Sequence, residues 1–257
     1  MSVLEAIILG LVQGLTEFLP ISSSGHLVIA QGLLGLNQAD TNLSLVILLH
    51  LASLLAVVVV FFEDISKIFS RDIKTLVMII LGTIPAVVVG LLLEESITSL
   101  FSSNYLMIGI CLWITAVYLL VGESFWRTSP MSLERAPLTT ALWVGLAQAI
   151  AIIPGISRSG FTISTGFITG LDKKDAVRFS FFLAIPIILG ATVMKLKHFD
   201  KLITSFQPIP ILVGFVVCFF VSLLAINLLI NVVKKGQLYY FAIYCFIIGF
   251  ISIIMSL

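Results

Sequence analysis

Six stretches of this chain, roughly 42–62, 73–93, 104–122, 175–195, 208–231 and 238–256, are apolar for about the length of a bilayer core. A helix needs about 20 such residues to cross the ~30 Å of hydrocarbon. The expected fold class is therefore all-α, a polytopic integral membrane protein with about six transmembrane helices. Composition agrees, because 60% of residues are hydrophobic and only 11% charged, where a soluble domain carries roughly a quarter. A net charge of +1 leaves no concentrated basic face, so no nucleic acid is expected as a partner. The first lysine or arginine is Lys67, so residues 3–19 lack the basic flank of a cleavable signal and are expected to stay in the mature protein. Cys111, Cys218 and Cys245 stand singly in apolar runs, which fits small buried hydrophobes rather than a disulfide framework or a zinc site.

Four further apolar stretches are too short or too broken to span. Residues 3–19 and 24–36 flank PISSSG, and 138–152 and 159–170 flank PGISRS. Irregular backbone at membrane depth is tolerated only where protein buries it or it lines a cavity, so each pair is expected to form a re-entrant helical hairpin. Offset by 135 residues, the two broken regions coincide: Gly10 falls on Gly145, Gln13 on Gln148, Ile21 on Ile156, Ser22 on Ser157, Ser24 on Ser159, Gly25 on Gly160 and Gly35 on Gly170. The expected organisation is a single membrane domain, 1–257, built twice: repeat one about 1–125 with hairpin 3–36, and repeat two about 137–257 with hairpin 138–170. Each copy has three spans, an odd number, so the second inserts upside down. Inverted-topology repeats with broken helices place substrate near the midplane where the copies meet.

Loop charges orient this plan. With the N-terminus outside, the inner loops hold Lys67, Arg71, Lys74, Arg127, Arg135, Lys173, Lys174, Arg178, Lys234 and Lys235, against Lys195, Lys197 and Lys201 outside. The three outer lysines run against the rule. Glu5 reads as interfacial, and Glu94, Glu95, Asp172 and Asp175 as solvated loop charges.

The polar residues that no span boundary explains are the chemical signal. Arg158 lies inside PGISRSGFT, between two apolar runs, where an unpaired arginine costs at least about 2.5 kcal/mol. Its planar fork suits phosphate or carboxylate, and the half-helix that follows offers N-terminal amides and a positive dipole end. Gly155, Ser157, Ser159 and Thr162 belong to the same turn, and the segment reads as an oxyanion cradle. Walker A spacing is absent, so nucleotide binding finds no support. The first hairpin supplies complementary chemistry. Gln13 and Glu17 are four apart and share one helix face. Glu17 is a candidate general base or ligand for a divalent cation, with Gln13 adding a neutral oxygen. His26 lies close after Ser22 and Ser23 and could activate a hydroxyl or protonate a leaving group. Ser22, Ser23 and Ser24 could also simply satisfy loosened backbone at the helix break, Glu17 could serve only as a structural partner for Arg158, and His50, alone on an apolar face, reads as packed or supporting rather than catalytic.

QGLTEFLPISSSGH at 13–26 resembles the (E/Q)xxxE segment and Ser-Ser-(S/T)-Gly-His turn of the bacterial undecaprenyl-diphosphate phosphatases of the bacitracin-resistance type. PGISRSGFT at 154–162 is similar to that family's PGxSRSxxT motif at every fixed position, and length and duplicated plan agree over essentially the whole chain. The resemblance implies hydrolysis of undecaprenyl diphosphate to the monophosphate and inorganic phosphate, recycling the lipid carrier for peptidoglycan synthesis and giving bacitracin resistance. It implies catalytic roles for Glu17, Ser22, Ser23, His26 and Arg158, and phosphate binding by Gly155, Ser157, Arg158, Ser159 and Thr162. It further implies a divalent cation, Mg2+ or Ca2+, at Glu17 and Gln13; glutamine at 13 removes one carboxylate and weakens a two-carboxylate metal site. The expected partners are the lipid substrate and membrane lipids, with a homodimer left open and no interface assigned to Gly109 and its small neighbours. The expected location is the bacterial inner membrane, with the site facing the periplasmic or extracellular side. The nucleophile stays open among Ser23, Ser22 and water. The alternative is a secondary transporter or lipid flippase for an anionic substrate, which uses the same broken helices and opposed charges.

Overall fold

Helix starts and stops follow local chemistry closely in the computed structural model, which describes residues 1–36, 43–101, 104–126, 130–195 and 208–257, with the side chains of 43–44, 94–101 and 195 excepted. Helix α1 (Val3–Thr16) opens on a capping box: Glu5 N donates to Ser2 Oγ, and Ser2 N to Glu5 Oε2 at 2.8 Å. Glu5, expected only to sit at the interface, is thus the second half of a helix cap. After the break at Leu19–Pro20, α2 (Ser23–Leu33) completes the first hairpin. Then come α3 (Leu43–Val60), α4 (Phe62–Ser70), α5 (Ile73–Phe101) and α6 (Tyr105–Ser124). A short 3-10 turn, Leu133–Arg135, leads to the second hairpin, α7 (Leu138–Ile150) and α8 (Arg158–Ile168). The chain ends with α9 (Lys173–Lys195), α10 (Pro208–Lys234) and α11 (Tyr239–Ile254). Residues 127–129 and 196–207, with Arg127, Lys197 and Lys201, lie outside the described residues, as do the side chains of Lys195, Glu94 and Glu95.

Among the described residues, four helices, α5, α6, α9 and α10, are long and apolar enough to cross a membrane, and the bent pair α3–α4 makes a fifth. The sixth expected span, α11, has 16 residues and reaches about 24 Å, a turn short of the hydrocarbon thickness. The expected span at 42–62 ends early because the chain turns by 76° at Phe61. Exposed leucines, isoleucines and phenylalanines such as Leu92, Phe220 and Phe250 run along the outer faces of α5, α10 and α11. Apolar surface this extensive belongs against lipid.

The helices cross where glycine allows it. A Cβ on Gly10 of α1 would stand 2.6 Å from the Gly214 carbonyl of α10, and one on Gly145 of α7 would stand 2.6 Å from the Gly82 carbonyl of α5. Gly109 of α6 likewise meets Gly249 of α11, 2.6 Å from its carbonyl. The small residues near Gly109 therefore pack within this chain. Between these crossings lies an aromatic knot: Phe181 meets Phe18 edge-on at 5.2 Å and Phe61 at 5.4 Å. Phe18 is fully buried and adjoins Glu17, so the knot anchors the tip of the first hairpin.

Two acidic residues expected to be solvated are structural. Asp172 Oδ1 accepts from Asp175 N at 2.8 Å, capping α9. Asp175 is buried and accepts from Leu133 N at 2.7 Å and Arg178 Nη1 at 2.9 Å, tying the 130s segment to α9.

Candidate active site

The two hairpin breaks are built alike. Ser22 and Ser157 each cap the helix that follows, their Oγ atoms accepting from Gly25 N at 3.4 Å and Gly160 N at 3.1 Å. Ser22 does so at φ +69°, a left-handed conformation unusual for serine, and the carbonyl it presents accepts from His26 N. The breaks are also stitched together. Gly155 N donates to Ser24 Oγ at 3.4 Å, and Ser159 Oγ donates to the Leu19 carbonyl at 3.0 Å. Gly155 has φ +93°, and a Cβ there would stand 2.7 Å from Cys111 Cβ, so glycine is required twice over.

This stitching brings Arg158 onto Glu17. Arg158 Nη2 donates to Glu17 Oε1 at 3.0 Å, Ser23 Oγ donates to Oε2 at 2.6 Å, and Gln13 Nε2 donates to Oε2 at 2.9 Å. His50 Nε2 lies 3.9 Å from the same Oε2. Glu17 is 7% exposed, so its charge rests on these four neighbours rather than on water. Arg158 Nη1 is buried and has no hydrogen-bond partner, and Gln13 Oε1 is in the same condition. Buried unsatisfied groups are rare and point to an absent ligand or to function.

A cavity of about 560 Å3 opens on this centre. Glu17, Ser22, Ser23, Ser24, Ser157 and Arg158 line its polar end, with His50 beside them. Its other end is apolar, formed by Val87, Gly90 and Leu91 of α5 and Ile187, Gly190 and Met194 of α9. Both helices carry a proline within, Pro85 and Pro186, which removes a ladder hydrogen bond where the cavity begins.

Not every expected residue reaches the cavity. His26 turns away, with Nδ1 on the Ser22 carbonyl at 2.8 Å and Nε2 on Tyr244 Oη at 2.9 Å, its ring stacked on that tyrosine. Thr162 Oγ1 donates to the Arg158 carbonyl at 2.8 Å and meets Ser180 Oγ at 2.7 Å, which places it behind α8. Ser159 and Gly155 serve the stitching, and neither lines the cavity. His50 does line it; its Nδ1 is engaged with the Val46 carbonyl at 2.8 Å, which turns Nε2 toward Glu17. Thr115 of α6 was not anticipated. Its Oγ1 accepts from Ser157 N at 3.1 Å and lies 3.4 Å from the Gly155 carbonyl, so it braces the second break. A threonine inside a long apolar run carries no signal of such a role.

The donor set bears on a cation. Among the described residues no cluster of three or more His, Cys, Asp or Glu could hold a metal alone. Glu17 and the Ser23 hydroxyl are nevertheless hard oxygen donors on one side of the cavity, while Gln13, whose Oε1 is unpartnered, is fully buried behind Glu17 and does not line it. That partial set fits a cation that takes its remaining ligands from substrate phosphates and water.

Fold and site together define a polytopic membrane protein with a buried carboxylate–arginine–serine centre at the end of a half-apolar cavity, an arrangement suited to an anionic group attached to a lipid. The chain belongs to the family described as bacitracin resistance protein BacA, which it matches over residues 6–251. It is 39% identical to the undecaprenyl-diphosphatase of Christiangramia forsetii, covering 100% of this chain and 99% of that protein. The undecaprenyl-diphosphatase of Bacteroides fragilis is 38% identical over 98% of this chain and 97% of its own. That of Methanobrevibacter smithii is 39% identical over 100% and 99%.

Proposed function

We propose that this chain hydrolyses undecaprenyl diphosphate to undecaprenyl phosphate and inorganic phosphate. The observation that carries the reading is the pairing, in one cavity, of a serine hydroxyl 2.6 Å from a carboxylate with an arginine that keeps one buried donor unpartnered. A carrier of anions has use for the arginine but none for the serine–carboxylate pair, and the relatives named above give the carrier alternative no support.

The apolar end of the cavity, between α5 and α9, receives the first isoprene units, and the diphosphate reaches the polar end. Arg158 holds the terminal phosphate with Nη1 while Nη2 stays on Glu17, and the backbone amides that open α8 add donors with a favourable dipole. Ser23 Oγ attacks the terminal phosphorus and passes its proton to Glu17 Oε2. The P–O bond to the bridging oxygen breaks, its electron pair leaving with undecaprenyl phosphate. Water then attacks the phosphoserine phosphorus, the P–Oγ bond breaks, and Glu17 returns its proton to Ser23 Oγ, giving inorganic phosphate and restoring both the Ser23 hydroxyl and the carboxylate. Arg158 neutralises charge on the phosphoryl oxygens through both steps, and catalysis of this reaction rests mainly on such positioning and neutralisation. A divalent cation, if bound, would be held by Glu17, with Gln13 adding a neutral oxygen if its side chain turned toward the cavity, and would supply further neutralisation of the phosphate charge. His26 holds the Ser22 turn from behind.

The repeat supports a midplane location. Matched caps at Ser22 and Ser157, and matched glycine crossings of α1 on α10 and α7 on α5, are what two inverted copies would make. Inner-loop lysines and arginines favour a site opening toward the periplasmic or extracellular face of the cytoplasmic membrane.

Phosphate release from a C55 isoprenyl diphosphate by the purified protein tests the reading, with and without chelator and beside Glu17→Ala and Arg158→Ala. Cation-dependent release that both substitutions abolish is expected. No release from folded wild type in the presence of divalent cation would overturn it.

A further inference from the structure

A second cavity, of about 200 Å3, lies at the other end of α9. Lys173, Lys174 and Arg178 line it from α9, Lys234 from the end of α10, and Asp64 from α4, over a floor of Phe61, Val177, Ile230 and Val233. From Arg178, the last α9 residue of this cavity, to Pro186, the first of the active cavity, is eight residues of helix, about 12 Å, and the two cavities share no lining residue. Arg178 is held by Asp64 at 2.7 Å and Asp175 at 2.9 Å, and its Nε is buried without a partner. Lys173 is fixed across the Trp126 ring, 3.0 Å from its centroid, and donates to the Lys234 carbonyl at 3.1 Å. Lys174 and Lys234 are exposed, and among the lining residues no carboxylate is paired with them.

The depth of this cavity follows from α4. That helix leaves α3 at 76° and carries Phe62 and Phe69 exposed, 66% and 74%, with Glu63, Asp64 and Lys67 among them. A short amphipathic helix turned off a span lies in the plane of the interface. Phe61 at the bend and Asp64 in its first turn both line the cavity, which therefore sits at headgroup level, on the lysine-rich side.

We propose that this cavity binds the phosphodiester headgroup of an anionic membrane lipid, with Lys174 and Lys234 contacting the phosphate and the apolar floor taking the glycerol and the first acyl carbons. Basic pockets between spans on the cytoplasmic side are built for such headgroups. The floor favours a lipid over a free anion, because inorganic phosphate has nothing to place against Phe61, Val177 and Ile230. Lysines scattered over an inner loop attract anionic lipid without selecting a place; these close around one cavity.

The test is native mass spectrometry of the full chain, counting phosphatidylglycerol retained against phosphatidylcholine, with Lys174→Gln/Lys234→Gln compared to Lys67→Gln/Arg71→Gln. The second pair lies on the same face outside the cavity and removes the same charge. The cavity pair is expected to lower retention of the anionic lipid about tenfold, and the control pair by far less. Phosphatase activity in detergent stays at the wild-type level in both, which shows that the variants are folded. Equal losses in the two pairs would reduce the effect to diffuse surface charge and overturn the proposal. Displacement of the retained lipid by millimolar inorganic phosphate would overturn it too, by making the cavity a free-anion site.

Discussion

Replacing Arg158 separates what the arginine does for the fold from what it does for the substrate. Its Nη2 is committed to Glu17 at 3.0 Å and its Nη1 has no partner. Lysine carries one nitrogen and can serve one of these tasks. A donor aimed at transition-state charge is worth about 10²–10³ in kcat, so Arg158→Lys should fall by about 10²-fold and Arg158→Ala, which loses both donors and the charge, by about 10⁴-fold. The two variants also differ in stability. Removing one partner of a buried ion pair costs about 3–5 kcal/mol, and Glu17, 7% exposed, has little water to turn to. Arg158→Ala should therefore melt well below wild type, and Arg158→Ala/Glu17→Gln should recover much of that loss while staying inactive. Phosphate release at saturating substrate and a thermal melt in detergent read the two effects separately. Turnover in the lysine variant within about threefold of wild type would refute fork binding. A double variant no more stable than Arg158→Ala would refute the pairing argument.

Ser23→Ala should lose about 10³-fold or more in turnover with little change in melting temperature, since Ser23 donates to Glu17 and its hydroxyl supports no helix cap; Ser24→Ala, which removes the hairpin contact to Gly155 N and the 3.3 Å contact to Ser22 Oγ, should keep activity within about tenfold. Gly190, which lines the active cavity with nothing within 4 Å of where a Cβ would stand, should accept phenylalanine. Gly190→Phe should raise KM for the C55 substrate while leaving a short-chain isoprenyl diphosphate nearly unchanged; equal effects on both would place the tail elsewhere. Gly145→Ala, meeting the Gly82 carbonyl at 2.6 Å, should cost about 1–3 kcal/mol by overpacking, read as a lowered melting temperature; an unchanged melt would mean that the α5–α7 crossing yields.

The hairpins were legible because serine, proline and glycine interrupt otherwise apolar runs, and such breaks have few physical uses in a membrane. Arg158 and Glu17 were legible for the same reason, since the cost of each at depth requires the other or a ligand. Distinctions within the motif were not legible. Spacing places Ser22, Ser23 and Ser24 in one turn, but only the φ of +69° at Ser22 leaves Ser22 capping α2 while Ser23 points at Glu17. His26 and His50 could not be ranked either. Their orientations depend on Tyr244 and on the Val46 carbonyl, one of them 218 residues distant in sequence. The α4 helix was hidden because its phenylalanines read as the end of a span, and a bend at Phe61 leaves no proline or glycine behind.

If the chain is built twice, as the offset of 135 residues suggests, the same offset accounts for its having one site. Ser23 and Arg158 occupy the same repeat position, while the place of Glu17 in the second copy is taken by Ile152. Both members of the matched pair reach one carboxylate, Ser23 on Oε2 at 2.6 Å and Arg158 on Oε1 at 3.0 Å. Glu17 therefore bridges the two hairpins at positions that the offset matches, where an axis relating two copies would pass. Ile152 lines the same cavity, with its Cδ1 toward Gly90 of α5, so a second glutamate there would add a carboxylate to that cavity, and neighbouring carboxylates in one buried site disfavour each other's ionisation. With serine at one matched position and arginine at the other, the meeting of the hairpins would offer, in the proposed reaction, an attacking hydroxyl on one side and a phosphate clamp on the other. Exchanging them, Ser23→Arg with Arg158→Ser, keeps the composition and tests how far the symmetry extends. Glu17 stays in the first hairpin under that exchange, so the serine would come from the opposite side and in-line attack from the original direction would be lost. The exchanged protein should fold and bind diphosphate while turning over at least about 10³-fold more slowly; wild-type turnover would mean that the two sides of Glu17 are equivalent.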